Sequence, residues 1–530
     1  MLQRFLDRFR SPYAVYARRC GELKTQLSDI QGLLLKGYAE LTHAAFLLLK
    51  INDPEAFRSW LNAVWPEIAT AQTQGPRRMN LAFTASGLRK LGLGEEVLGT
   101  FSREFREGMS HRRQQLGDED SPSGWEFGDD DTTLHVMLML YAQGETEIEA
   151  LLARHQRHLR AADIQVILTQ RASRLQEPDN GQSPKPQPIR EHFGFKDGLS
   201  QPILAGFQEH LRRRVHALDE PVLPGEFILG YPNEYQELPA SPCIPAAADP
   251  RGYLREVPGQ PGWRDFGHNG TYLVLRKLQQ NKKNFRKFLD RAARAEPDLA
   301  PAPDVRRCPM ARLGALVQRF LPDKSRQERA EARRALLAAK LVGRAQDGAP
   351  LEPEGKSSSN PPESWMYRFS YRDRDPEGMG CPIAAHIRRA NPRDALPLGG
   401  VVFPRRSKGE DSLRRISFSV VRKHRIIRRG ITYRDAEGRE GLLFLALNAN
   451  IRRQFEFVQQ LWLGGDLFTG APPSGAPLTI PGDALRTRLQ GASPLVEVRG
   501  GAYFFLPSLT ALRFLAEQLP SPGSVTPDRR

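Results

Sequence analysis

The sequence predicts an α+β protein of two similar domains, each a sheet with helices packed on one face. Three observations predict it. Short apolar runs of strand character alternate with segments that carry an apolar stripe at helical spacing. The same succession occurs in both halves of the chain. Finally, 530 residues with a 40% apolar fraction exceed one small core and suffice for proper ones.

The elements follow in order. Residues 28–35 and 43–51 read as strands, and 79–84 (MNLAFT) as another, followed by a helix opened by Ser86. Residues 132–142 (TTLHVMLMLYA) form a long apolar strand. The helix after it places Ile148, Leu151, Leu152, His155 and Leu159 on one stripe, and 164–170 is again a strand. In the second half, 271–277 is a strand, and Phe285, Phe288, Leu289 and Ala292 mark the next helix. A capping box of Ser325 and Glu328 opens a helix that runs to about Val342. Residues 442–447 (LLFLAL) are a strand, 450–462 a helix and 501–506 a strand; Ser508 then caps a last helix. The proline-rich stretches 174–190 and 235–263 are expected not to be regular sheet, because proline lacks the ladder donor. Residues 345–363 and 466–484 read as surface loops.

The net charge is +16, but the basic residues lie in scattered short groups without interleaved aromatics, so an ordinary basic surface is favoured over a nucleic-acid interface. Four cysteines without a CxxC pair support neither a disulfide framework nor a zinc site. The start of the chain lacks a secretory pattern, and no apolar run reaches the ~18 residues of a membrane span. A cytoplasmic location is therefore expected.

Three stretches carry residues suited to chemistry. In EHFGFKDGLSQP (191–202), Asp197 sits between Gly194 and Gly198 and behind two phenylalanines. An aspartate there can simply close a turn, or act as a general acid/base where the glycines leave room for a flat ligand. In GCPIAAHIRRANPRD (380–394), Pro382 suits a first helical turn and Pro392 a stop. His386 then lies on a short helix among small side chains. It is either a solvent-facing histidine or a lone metal ligand; a single imidazole without a partner at i+3 or i+4 suits haem iron better than zinc. In HRIIRRGITYR (424–434), a buried strand runs into a turn at Gly430, with Arg428 able to point inward. Leu442 and Phe444 share one face of the following strand and can wall a ligand or simply pack the core.

Together these stretches resemble the dye-decolorizing peroxidase family. GFKDG (194–198) matches its GxxDG motif, HIRRANPR (386–393) is similar to its proximal-histidine segment, and IIRRGITY (426–433) to its distal-arginine segment. DIQGLLLKGY (29–38) and NGTYLVLRKL (269–278) are similar too. The likeness spans about residues 27–520, with a length and inserts similar to larger bacterial members. Arg434 departs from the glycine that often ends the arginine segment.

The resemblance implies two ferredoxin-like α+β domains with antiparallel sheets, of the dimeric α/β-barrel type. The expected division is an N-terminal extension (1–26), a first domain carrying GxxDG (27–210), a haem-binding second domain with long inserts (211–520) and a tail (521–530). It further implies one haem b per chain, with His386 as the proximal iron ligand and Gly194, Gly198, Arg393, Leu442 and Phe444 around the porphyrin. Asp197 and Arg428 are the expected catalytic pair, with Arg428 holding Asp197 ionised. Glu456 is the suggested acceptor for the second nitrogen of His386. The implied reaction is reduction of hydrogen peroxide with one-electron oxidation of dyes, phenols or other aromatic donors. The alternatives are a haem carrier or an iron-removing enzyme, and, on charge alone, a nucleic-acid binder.

Overall fold

A computed structural model of the chain describes residues 23–24, 26–118, 124–130, 132–176, 189–208, 219–295, 326–351, 367–396, 408–464, 478–480, 487–489 and 495–517. Among them, nine strands form one antiparallel sheet. In the first half, β1 (His43–Ile51), β2 (Arg77–Phe83), β3 (Val136–Ala142) and β4 (Ile164–Ser173) lie in the order β2-β3-β1-β4. In the second half, β5 (Thr271–Gln280), β6 (Ile427–Arg428), β7 (Ile431–Arg434), β8 (Glu440–Asn448) and β9 (Val496–Leu506) repeat it: β6 and β7 both pair with β8, which leads to β5 and then β9. Each half is a ferredoxin-like sheet, as the fold-class expectation has it.

The halves join at two seams. Phe505 of β9 pairs with Phe83 of β2. On the other side, the Thr432 hydroxyl of β7 donates to the Ser173 carbonyl of β4 and accepts from the Leu175 amide at 3.3 Å. The sheet thus curls into a barrel. Strand alternation sorts its side chains. Phe46, Met137, Leu273, Leu445 and Phe504 fill the inside. Leu47, Leu138, Val274, Ala446 and Tyr503 face outward against the helices.

The outer helices obey their sequence signals. α1 (Pro54–Val64) is capped by Asp53, whose side chain accepts from the Glu55 amide at 2.8 Å, with proline at its first position. α2 (Glu145–Ala161) buries the predicted stripe. α3 (Lys282–Ala295) and α4 (Arg326–Val342) pack together through Phe285, Phe288, Leu289 and Leu337. α5 is the short His386–Ala390 helix and α6 spans Lys408–Arg422. α7 (Leu509–Glu517) starts at Ser508, whose hydroxyl accepts from the Ala511 amide at 3.1 Å.

Several expectations change. Residues 28–35 are a turn and a short helix, Gly32–Leu35, not a strand. A short fully apolar run does not distinguish the two. The cap of the Ala85–Lys90 helix is Thr84, which accepts from the Gly87 amide, and not Ser86. Pro382 lies in the turn before α5, whose N-cap is Ala385. The 450–462 segment winds as two π-helical stretches, Arg452–Glu456 and Val458–Leu463. The 235–263 stretch does hold sheet: Cys243–Pro245 and Arg255–Glu256 pair on either side of Trp263–Asp265. Ser325 of the capping box lies outside the described residues. Among the described residues, no helix is long and apolar enough to cross a membrane.

One buried titratable group has a thermodynamic consequence. His155 on α2 is fully buried, and neither ring nitrogen has a hydrogen-bond partner. Burial first, then Arg154, pushes its pKa down to about 4. Between roughly pH 6.5 and 4 the unfolded chain binds the extra proton, so stability falls as the pH falls through that window, by about 3 kcal/mol for a shift of this size. His155→Leu should flatten that decline. Urea unfolding midpoints of parent and variant at the two ends of the window check it.

Candidate active site

Register fixes one wall of the site. In an antiparallel pair, residues directly opposite point to the same face. Arg428 lies opposite Ala446, and Ala446 shares its face with Phe444 and Leu442. That face is the outer one, since Ile427, Leu443, Leu445 and Leu447 fill the barrel. Leu442 and Phe444 are only half-buried, with Phe444 packed in part against the outer core.

His386 opens α5, and its neighbours pin it. Arg388 donates to the Asp375 and Cys381 carbonyls at 2.8 and 2.9 Å and lies over the Tyr371 ring. Arg389 donates to the Trp462 carbonyl at 2.5 Å. At the end of α4, Gly343 has φ +99°, and a Cβ there would crowd Ala385, Cys381 and Ile387 at 3.2–3.3 Å. The helix is therefore held from three sides.

The His386 ring itself is exposed, unlike its neighbours Ala385, Arg388 and Arg389. Yet desolvation, with smaller contributions from Arg428 and Arg389, pushes its pKa down to about 4. The contribution of Arg428 places that guanidinium within electrostatic reach of the imidazole.

The third element is the 189–201 segment. Glu191 accepts from the Phe193 and Phe195 amides, each at 2.8 Å, and Arg190 donates to the Gly194 carbonyl at 2.7 Å. Gly194 and Gly198 have φ +94° and +76°, conformations that favour glycine. Nothing lies within 4 Å of a Cβ built on Gly198. Asp197 is half-buried; its Oδ1 accepts from the Gly198 amide at 2.6 Å. Its Oδ2 has no hydrogen-bond partner among the described residues.

Arginines bind this segment to the second half of the chain. Arg425 donates to the Ser200 carbonyl at 2.6 Å, Arg344 and Arg393 to its hydroxyl at 3.0 and 3.1 Å, and Arg428 to the Leu199 carbonyl. Gln201 exchanges two hydrogen bonds with the Arg428 backbone. Arg393, at φ +56°, is buried over the Phe369 ring at 4.1 Å. Burial lowers the pKa of Arg393 and takes that of Arg425 down to about 10. Arg393, Arg425 and Arg428 form no ion pair among the described residues. The nearby Asp219 is already held by Arg422 at 3.1 Å.

Two expectations about partners change. Arg428 makes no ion pair with Asp197, whose charge partly offsets the burial that lowers the pKa of Arg174. Glu456 is not turned to His386. It is buried and forks onto Arg112 at 2.5 and 2.6 Å, and it accepts from the Tyr503 hydroxyl at 2.8 Å. The sequence reading did not single out Ser200, Arg344 or Arg425. Arg425 lies within the quoted arginine segment, whereas Arg344 has no local motif to betray it.

The residues fit a porphyrin. A buried, clustered positive charge without acidic partners calls for an anionic ligand. The Arg393 Nε atom is buried without a hydrogen-bond partner. Among the described residues, no group of three or more His, Cys, Asp or Glu can hold a metal ion. A metal at His386 therefore needs most of its ligands from a non-protein group.

A curled antiparallel barrel with an imidazole and a guanidinium within electrostatic reach of each other defines the class: an α+β barrel protein. Residues 29–174 match the model of the DyP dimeric alpha+beta barrel domain. The chain is 28% identical to the multifunctional dye peroxidase DyP2 of Amycolatopsis sp., over 93% of this chain and 97% of that one. It is 27% identical to peroxidase 2 of Mycetinis scorodonius, over 92% and 87%. A solved ancestral D-type dye-decolorizing peroxidase superposes with a TM-score of 0.64 at 25% identity, covering 92% of this chain and 98% of that one. The chain is thus similar over most of its length to dye-decolorizing peroxidases, and it is a peroxidase. The carrier and nucleic-acid readings are not favoured.

The Glu456–Arg112 pair gives a stability prediction. Glu456→Ala leaves a buried guanidinium with only Glu107, at 2.6 Å, to balance it. The loss should be about 3 kcal/mol, and replacing both residues by apolar ones should restore most of it. Denaturant unfolding of the single and double variants measures both.

Proposed function

We propose that the chain binds one haem b on the outer face of its second half and uses it to reduce hydrogen peroxide while oxidising aromatic donors such as dyes and phenols. The division near residue 210, with GxxDG contributed by the first domain, belongs to the same proposal. The observation that carries it is the open, desolvated His386 within reach of Arg428.

When bound, the haem supplies the redox chemistry, accepting two oxidising equivalents from peroxide and passing them on one electron at a time. His386 provides the ligand nitrogen; its lowered pKa keeps the imidazole unprotonated at neutral pH. Arg393 and Arg425 hold the carboxylate side chains of the porphyrin. Leu442 and Phe444 exclude water from one face, while Gly194 and Gly198 leave room for close approach. Asp197 takes a proton from hydrogen peroxide at Oδ2, the oxygen its own turn does not use, and returns it to the departing oxygen. Arg428 holds fixed positive charge where the O–O bond polarises; its tie to the Leu199 carbonyl sets its position before peroxide arrives.

The test is an absorption spectrum of the haem-loaded protein before and after one equivalent of peroxide. An unchanged spectrum, with no peroxide-dependent oxidation of an anthraquinone dye, would refute the proposal. His386→Ala should lose the Soret band or retain haem only weakly. Arg428→Leu should keep its haem but react with peroxide about 10²–10³-fold more slowly. Asp197→Asn should lose about 10²–10⁴-fold, and a parent-like rate in stopped flow would show that another group moves the proton.

A further inference from the structure

The 235–263 stretch, which makes no part of the His386 site, helps to line an open surface pocket. Its volume is about 430 Å³, within the range of small-molecule sites. Its walls are apolar: Leu238, Pro239, Val257, Pro258 and Trp263. Its floor is built and rigid. The Cys243 amide donates to the Thr100 hydroxyl at 2.9 Å, tying the insert to the first half of the chain. Gly230, at φ +88°, leaves no room for a Cβ beside the His268 ring.

One charged group lines this apolar space. Asp265 is 91% buried, being 9% exposed. Its Oδ1 is saturated by the Ser241 hydroxyl at 2.5 Å and the Gly267 and His268 amides at 3.1 and 3.0 Å. Those bonds explain the side chain as a turn cap. They leave Oδ2 without a hydrogen bond and the carboxylate without an ion pair among the described residues. The carboxylate also helps to raise the pKa of the pocket thiol Cys243, after burial, to about 11. An unpartnered carboxylate oxygen in a pocket that an indole and two prolines also line matches a cation with an apolar body. The ammonium would meet Oδ2, and the hydrocarbon would lie on Trp263 and the prolines.

We infer that this pocket is a second ligand site, separate from the His386 site, that binds a small arylalkyl amine with Asp265 as the ammonium acceptor and Trp263 as the aromatic wall. Binding needs no haem and no turnover.

The test is titration of the purified protein with phenethylamine, followed by calorimetry, with 2-phenylethanol as the uncharged control. Saturable binding of the amine at least about tenfold tighter than the alcohol is expected, as a charge-assisted hydrogen bond provides. Asp265→Asn keeps an oxygen for the turn and should remove that preference, while Trp263→Leu should weaken both compounds. Thermal melting confirms that each variant is folded. No saturation by about 10 mM, or equal affinity for amine and alcohol, overturns the assignment, as does an Asp265→Asn variant that still prefers the amine.

Discussion

The site depends on four arginines that converge on two consecutive residues. Arg344, Arg393 and Arg425 hold Ser200, and Arg428 holds Leu199. Backbone carbonyls and a hydroxyl satisfy part of their donor capacity, and Asp219 offsets part of the charge of Arg393 and Arg425. The arginines oppose one another: Arg393 lowers the pKa of Arg344, and Arg393 and Arg428 that of Arg425. Concentrating like charge in a desolvated interior is costly unless an anion joins it. The arrangement suits the anionic ligand proposed for it. It also explains why the segment after GxxDG is so firmly tied: without those carbonyl acceptors the guanidiniums would have no fixed positions at all.

The barrel makes this convergence possible. Its inner face is filled by aromatic and aliphatic side chains, so no ligand enters there. On the outer face, alternation along β6 and β8 presents Arg428, Phe444 and Leu442 together. Most of the remaining outer face is covered by α1, α2 and α7. The short α5 packs on α4 and on the Val458–Leu463 stretch, braced by Arg388 on Asp375 and Arg389 on Trp462. The two seams hold the GxxDG segment of the first half beside the second. A barrel that opened at Thr432 and Ser173 would move Gln201 away from the Arg428 backbone.

Strands with a strong apolar pattern were readable because burial on both barrel faces demands it: β3 is buried throughout, and its run of seven apolar residues announced a strand. The same cue misled at 28–35, where four buried residues in succession form a helical turn. Length and turn signals, not hydrophobicity, separate those cases. Prolines in 235–263 argued against sheet, but the ladder there is only two or three residues long and holds a single proline, Pro245, at a strand end. In the candidate site, His386 and Arg428 stand out in the sequence because each lies in a local motif. Their partners do not. Glu456 sits between two phenylalanines and was assigned by neighbourhood, yet its fork onto Arg112 spans 344 residues of sequence. Contacts of that range are set by the fold, and no spacing rule reaches them.

The separation of Asp197 from Arg428 also bears on how the proposed mechanism divides its work. Had the two formed an ion pair, the arginine would have spent its charge on the carboxylate, and both groups would have been less available to peroxide. Instead Asp197 is fixed by its own turn, through the Gly198 amide, and leaves Oδ2 unused. Arg428 is fixed by the Leu199 carbonyl and by Gln201, two and four residues further on. The acid/base group and the positive charge are thus positioned by one short stretch of backbone without neutralising each other. Their relative placement is set by the rigidity of residues 197–201, whose left-handed positions at Gly198 and Ser200 pin the chain direction. A proton acceptor and a fixed cation can then act on the same small molecule from separate anchors, which a direct salt bridge would forbid.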